Sequence, residues 1–137
     1  MPFWVYMLFV GDPSHGSNRK IYTGYTNHLM PRLVQHCGLT SAKGARITRK
    51  QPIELAYLER YESRHKALQR EFQLKHKSPF NQKKHKLMLV KEFESKHRQI
   101  LQEINDTLAE QFKFLTGLLK SLEISEKSLK EEIKPLK

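Results

Sequence analysis

The chain has one cysteine, Cys37, in 137 residues. That excludes an intrachain disulfide and any cysteine-based zinc site, and it suits a reducing, cytoplasmic setting. Long apolar runs are also missing. The start, PFWVYMLFV, is too short to cross a bilayer and lacks the charged lead-in and small-residue cleavage site of a secretory signal. Seven histidines are scattered without the clustering of a metal cage. Acidic residues are scarce in one part only. Residues 1–92 hold 17 Lys and Arg against 6 Asp and Glu, whereas residues 93–137 hold 8 of each. The whole net charge of +11 therefore sits on the first 92 residues, as expected of a compact domain that meets a polyanion, most often nucleic acid.

What is present has a clear order. Phe3 to Val10 is rich in aromatic and β-branched residues and ends at Gly11-Asp12-Pro13, a strand followed by a turn. Ile21 to Tyr25 predicts a second strand, paired with the first across a long polar loop. Thr26 or Asn27 can cap a helix to about Cys37, with Pro31 near its first turn, where a missing N–H costs least. PIELAYLERY predicts a third strand with Ile53, Leu55 and Tyr57 on one face. Ser63 caps a second helix to about Lys77, and Ser78-Pro79 predicts the start of a third. The expected class is α+β: a small three-stranded antiparallel or mixed sheet flanked by helices, then a long amphipathic helical segment. The expected division is 1–92 and 93–137.

In the second helix, Ala67, Leu68, Phe72 and Leu74 predict the apolar stripe, and Glu71 falls inside it. A carboxylate facing a core is costly unless it is paired or binds a metal. It is either a structural ion-pair partner, for instance of Arg32, or a metal ligand or base. In the first helix Arg32 and His36 are four apart and project from one side. With Tyr6 and Tyr22 from the strands, these groups can converge where two helices meet the sheet. Arginine stabilises charge on a phosphate, and a carboxylate can hold a divalent ion that bridges phosphate oxygens.

This ordered set resembles the GIY-YIG nuclease family. Its naming motifs stand here as Trp4-Val5-Tyr6 and Tyr22-Thr23-Gly24, and TNHLMPRLVQH resembles the family's T-x-x-L-x-x-R-L-x-x-H. SRHKALQREFQLK is similar to the helix that carries the family's glutamate. The likeness covers residues 2 to 92 and is closest to the compact stand-alone branch. It implies a Mg²⁺- or Mn²⁺-dependent endonuclease acting on nucleic acid, DNA before RNA, selected by structure and not by base sequence. Tyr6 and Tyr22 would be the paired active-site tyrosines, Arg32 the phosphate-binding arginine, His36 its neighbour, and Glu71 the single metal ligand. Trp4 stands where the family name has glycine, Pro31 replaces a second basic residue, and Asn81 is only a candidate for a late asparagine. A free phenol has a pKa of about 10, so a phenolate base at neutral pH needs about three units of lowering. The expectation is that Arg32, the metal and a hydrogen bond from His36 lower Tyr6. Lys43, Arg46, Arg49, Lys50, Lys83, Lys84 and Lys86 would hold the nucleic-acid backbone.

The alternative class is a non-catalytic DNA-binding protein: a degenerate nuclease module, or a basic region plus a leucine-heptad helix. Residues 101, 108, 115, 122, 129 and 136 are all leucine, which suggests a coiled coil and a possible homodimer through 93–137. Pro79 interrupts the basic stretch that such a protein needs as one helix.

Overall fold

The computed structural model describes residues 2–36, 52–109 and 115–136, with side chains in the last segment described from 123. Three strands, β1 (Phe3–Val10), β2 (Lys20–Thr26) and β3 (Ile53–Tyr61), form an antiparallel sheet in the order β2-β1-β3. Among the described residues four α-helices accompany them: α1 (Leu29–His36) between β2 and β3, then α2 (Arg64–His76), α3 (Lys83–Ala109) and α4 (Leu115–Glu132) after β3. The fold is α+β, as the sequence predicts.

Local chemistry accounts for the boundaries. Asp12 accepts from the Ser14 N–H at 2.9 Å and turns the chain after β1. The Thr26 hydroxyl accepts from the His28 N–H at 2.9 Å just before α1, and the Ser63 hydroxyl accepts from the Lys66 N–H at 3.3 Å to start α2. The third helix begins at Lys83, four residues beyond Pro79. Lys77 leaves helical geometry with φ −108° and ψ 120°, and Asn81 and Gln82 hydrogen-bond back to Lys77 and Pro79 in a turn. That turn separates α2 from α3.

Alternation along β1 sets two faces. Trp4, Tyr6, Leu8 and Val10 share one; Phe3, Val5, Met7 and Phe9 share the other. The first face belongs to the larger core, which also holds Leu29, Met30, Leu33 and Val34 of α1 and Leu129 of α4. On the second face Val5 and Tyr61 pack with Ala67 and Leu74 of α2.

The third strand departs from the expected pattern. Met7 pairs with Tyr57 but Leu8 with Leu55, so Ala56 is an extra residue, a β-bulge. One inserted residue moves the following side chains to the other face. Ile53 and Leu55 therefore stand with Leu8 and Val10, while Tyr57 stands with Met7. There Tyr57 joins Glu59 and Tyr61, and both phenols donate to the buried Glu59 carboxylate. Arg70 Nε donates to the same carboxylate at 3.0 and 3.1 Å.

The helices after residue 83 close the outer edge of β3. Asn105 mimics a strand: its Oδ1 accepts from the Leu55 N–H at 2.7 Å and its Nδ2 donates to the Leu55 carbonyl at 3.0 Å. Further along, the Leu136 N–H donates to the Arg60 carbonyl at 2.8 Å. These contacts satisfy backbone groups that would leave an edge open to pairing. Ile100, Leu101, Ile104, Leu108, Leu129 and Ile133 are buried in the same core as β1. The helix bends at His97 (φ −130°, ψ 28°), whose ring packs on Phe93 and whose Nδ1 pairs with Glu132 of α4.

Candidate active site

The site begins with a pairing between two strands. Tyr6 lies opposite Gly24 in the β1–β2 register. A β-carbon at position 24 would fall 2.5 Å from both Cζ and the hydroxyl oxygen of Tyr6. The phenol therefore lies across the glycine, in space that any other side chain would occupy. Two residues back on the same face, Tyr22 places its ring 6.3 Å from that of Tyr6. The Tyr-x-Gly spacing is thus one aromatic and one gap on the same face of an edge strand.

The first helix supplies two more groups. Leu29, Met30, Leu33 and Val34 anchor it in the core, which points His36 at the tyrosines. His36 Nε2 is 2.7 Å from the Tyr6 hydroxyl, and its ring is 5.0 Å from that of Tyr22. Arg32, one turn earlier, donates to Gln35 Oε1 at 2.7 Å, and its charge favours ionised Tyr6. Neither Tyr6 nor His36 has any exposed surface.

Among the protein's own groups, burial outweighs the lowering expected of Tyr6. Burial first, then Tyr22 close by, push the phenol above its usual range; Arg32 pulls it down but does not win, and Glu71 adds to the rise. Burial, helped by the Arg32 charge, also lowers His36 to about 4. Both groups are neutral at pH 7. The direction of the 2.7 Å hydrogen bond between the Tyr6 hydroxyl and His36 Nε2 follows the imidazole tautomer.

The second helix corrects another expectation. Ala67 and Leu74 are its buried residues, while Leu68 is 38% and Phe72 53% exposed. The inward stripe is narrow, and its flanks are polar: Arg70 on the side of Glu59, Glu71 on the side of the tyrosines. Glu71 is 21% exposed and pairs with Lys75 at 3.4 Å, so it stands at a wet margin and not in the core. Its charge opposes ionisation of Tyr6.

Two lysines complete the surroundings. Lys75 Nζ lies 5.8 Å from the centre of the Tyr22 ring. Lys75 is not among the residues that the family motifs single out, although its position four residues after Glu71 is a signal for pairing. Lys86 turns inward and donates to Thr23 Oγ1 at 3.1 Å; burial, and Lys75 nearby, lower its pKa. Lys83 and Lys84 are exposed in the first turn of α3. Lys43, Arg46, Arg49 and Lys50 lie outside the described residues.

The donor set can be tested against a metal. Among the described residues no three His, Cys, Asp or Glu side chains gather into a metal cage. One partly exposed carboxylate beside a cationic pocket fits a hard divalent ion of the Mg²⁺ type, which binds through one or two carboxylates and completes its shell with water and phosphate oxygens. It does not fit an ion that needs an all-protein cage.

This arrangement agrees with sequence comparison. The model of the GIY-YIG catalytic domain matches residues 2–85. The chain belongs to the GIY-YIG family. It is 33% identical over 76 residues to the UPF0213 protein of Limosilactobacillus reuteri, covering 56% of this chain and 73% of that protein. It is 33% identical over 89 residues to the UPF0213 protein in the ldhD 5′ region of Pediococcus acidilactici, covering 65% and 81%. The UPF0213 protein of Bacillus pumilus is 43% identical over 73 residues, covering 53% and 65%. No solved structure matches the chain. A GIY-YIG catalytic domain points to a nuclease that hydrolyses phosphodiester bonds. Among the described residues no helix is long and apolar enough to cross a membrane.

Proposed function

We propose that this GIY-YIG protein is a divalent-metal-dependent endonuclease acting on DNA of particular structure. The observation that carries the reading is the convergence of Tyr6, Tyr22, Arg32 and His36 at the β2 edge, with Glu71 and Lys75 beside them. Arg32 and Lys75 supply positive charge for the scissile phosphate. Tyr22 is partly exposed and so is the phenol that can touch an attacking water; its hydroxyl orients that water toward phosphorus. Tyr6, fully enclosed, is a positioning residue: it holds His36. That exchanges the roles expected from the sequence, where Tyr6 was to be the base. Glu71 would hold a Mg²⁺ or Mn²⁺ ion, which when bound supplies charge neutralisation at the phosphate oxygens and a more acidic water.

The backbone of the nucleic acid would run over Lys83 and Lys84 and over Lys43, Arg46, Arg49 and Lys50. Their lack of a base-reading motif supports selection by structure. DNA is the expected substrate before RNA, and a reducing cytoplasm the expected setting. The division into a catalytic unit, 1–92, and a helical extension, 93–137, belongs to the same reading. Leu101, Leu108 and Leu129 of the heptad are buried in the chain's own core, which supports an extension that docks within its chain over a homodimer. The separation of α2 from α3 at Lys77–Gln82 disfavours a continuous basic-region helix.

Purified protein should cleave at least one member of a panel of flapped, branched, nicked and single-stranded DNA in Mg²⁺ or Mn²⁺, and EDTA should stop it. A folded protein inert on the whole panel, and on RNA, overturns the reading.

A further inference from the structure

The outward face of α2 carries a feature that the catalytic reading does not use. Leu68 and Phe72, four residues apart, lie side by side and exposed. They border an open groove of about 780 Å³ lined by Tyr61, His65, Lys66, Gln69, Gln73 and Lys77, among others. The groove lining includes no aspartate or glutamate. The His76 ring centre is 4.8 Å from that of Phe72, and Lys77 Nζ is 5.7 Å from the same ring centre. Arg70 is committed to Glu59, so Lys66 and Lys77 give the groove its positive charge.

Position on the helix ties this face to the active site. At about 100° per residue, Leu68 lies about 60° and Phe72 about 100° outboard of Glu71, on the side where Lys75 also stands. A strand that leaves Glu71 outward across α2 would cross Lys75 and then Phe72. Single strands are held by cations along the backbone and by aromatic rings on which bases stack. An exposed phenylalanine flanked by lysine and histidine, with no carboxylate in its groove, has that chemistry.

We propose that the outer face of α2 binds a single-stranded segment adjoining the cleaved bond, with Phe72 as the base-stacking side chain. The inference rests on the nuclease reading and names the part of the substrate that the site selects. Unpaired bases can reach Phe72, whereas bases stacked inside an intact duplex cannot. Selection of flapped or branched DNA follows from that difference, with no base-specific contact.

The test is binding without cleavage, in EDTA, by fluorescence anisotropy of labelled oligothymidylate and of a blunt duplex, using the full chain. Phe72→Ala should weaken oligothymidylate binding about tenfold and leave duplex binding within about twofold. Phe72→Trp should bind like the wild type, and its new, exposed indole should be quenched by oligothymidylate; the native Trp4 is fully buried and will not report. Equal binding by Phe72→Ala and wild type overturns the proposal, as does an unquenched indole at saturation. Emission from Phe72→Trp that shifts with protein concentration alone, with a matching rise in scattering mass, overturns it in favour of self-association. Cleavage by the wild type with no effect at Phe72 defeats the platform only. Failure to bind any nucleic acid defeats the platform and the nuclease reading together.

Discussion

The ring of Tyr6 occupies the space that the side chain of residue 24 would fill, and only glycine leaves it there. Cζ and the hydroxyl lie 2.5 Å, and Cε1 3.0 Å, from the β-carbon that an alanine would add. The ring cannot swing into solvent, because it is fully buried and its hydroxyl is held by His36. Gly24→Ala should therefore displace Tyr6, cost about 1–3 kcal/mol in stability as an overpacked core does, and abolish cleavage. Urea denaturation and the nuclease assay check this. A variant with wild-type midpoint and turnover would show that the ring is not confined by the glycine.

Buried, neutral His36 makes stability depend on pH in a stated direction. Its pKa is about 4 in the folded chain against an ordinary 6.5. Between those values the unfolded chain takes up a proton that the folded chain refuses. Stability is complete above pH 6.5, falls as the pH drops, and loses nothing further from this residue below about 4. The interval corresponds to up to about 3 kcal/mol. Other groups titrate there too, so the measurement is a difference: urea midpoints at pH 7 and pH 4.5 for wild type and His36→Gln. The variant should lose less on acidification. Equal losses would mean that His36 is protonated in the folded state.

Glu71→Gln should remove cleavage and leave folding and nucleic-acid binding nearly intact. The residue sits at a partly exposed margin and pairs with Lys75 within one helix, an interaction worth about 0.2–0.5 kcal/mol. A melting temperature several degrees lower with turnover preserved would assign Glu71 a structural role. Arg32→Ala should also lose turnover.

Removal of residues 93–137 should destabilise the catalytic unit severely. Six buried side chains from Ile100 to Ile133 belong to the core that contains Trp4 and Tyr6, and each fully buried aliphatic contributes about 1.5–3 kcal/mol. Their sum rivals the 5–15 kcal/mol net stability of an ordinary domain. The cut also exposes the β3 edge at Leu55 and Arg60. A chain ending at Glu92 should aggregate or melt far below the full chain, and the full chain should scatter light as a monomer at tens of micromolar. A stable, soluble truncated chain beside a dimeric full chain would restore the leucine-heptad dimer.

Much of the site was legible from one dimension. The strands and helices follow from periods of two and 3.6 with capping residues at their starts, and the candidate set Tyr6, Tyr22, Arg32, His36 and Glu71 stands out by residue type, spacing and family resemblance. Local order is enough for this, because periodicity and caps act over a few residues. What the tertiary structure decided depends on partners far along the chain. The bulge at Ala56 arises from pairing with β1, and it sends Tyr57 to the face opposite the one that alternation predicts. Helical spacing put Leu68 and Phe72 inward, but the sheet has room for only Ala67 and Leu74, and the apolar pair was left on the surface. Enclosure makes the Tyr6 phenol harder to ionise, since desolvation outweighs one nearby guanidinium. Leucines in sevens are compatible with a partner helix or with the chain's own core. The open edge of β3 and the apolar face of β1 decided that Leu101, Leu108 and Leu129 turn inward.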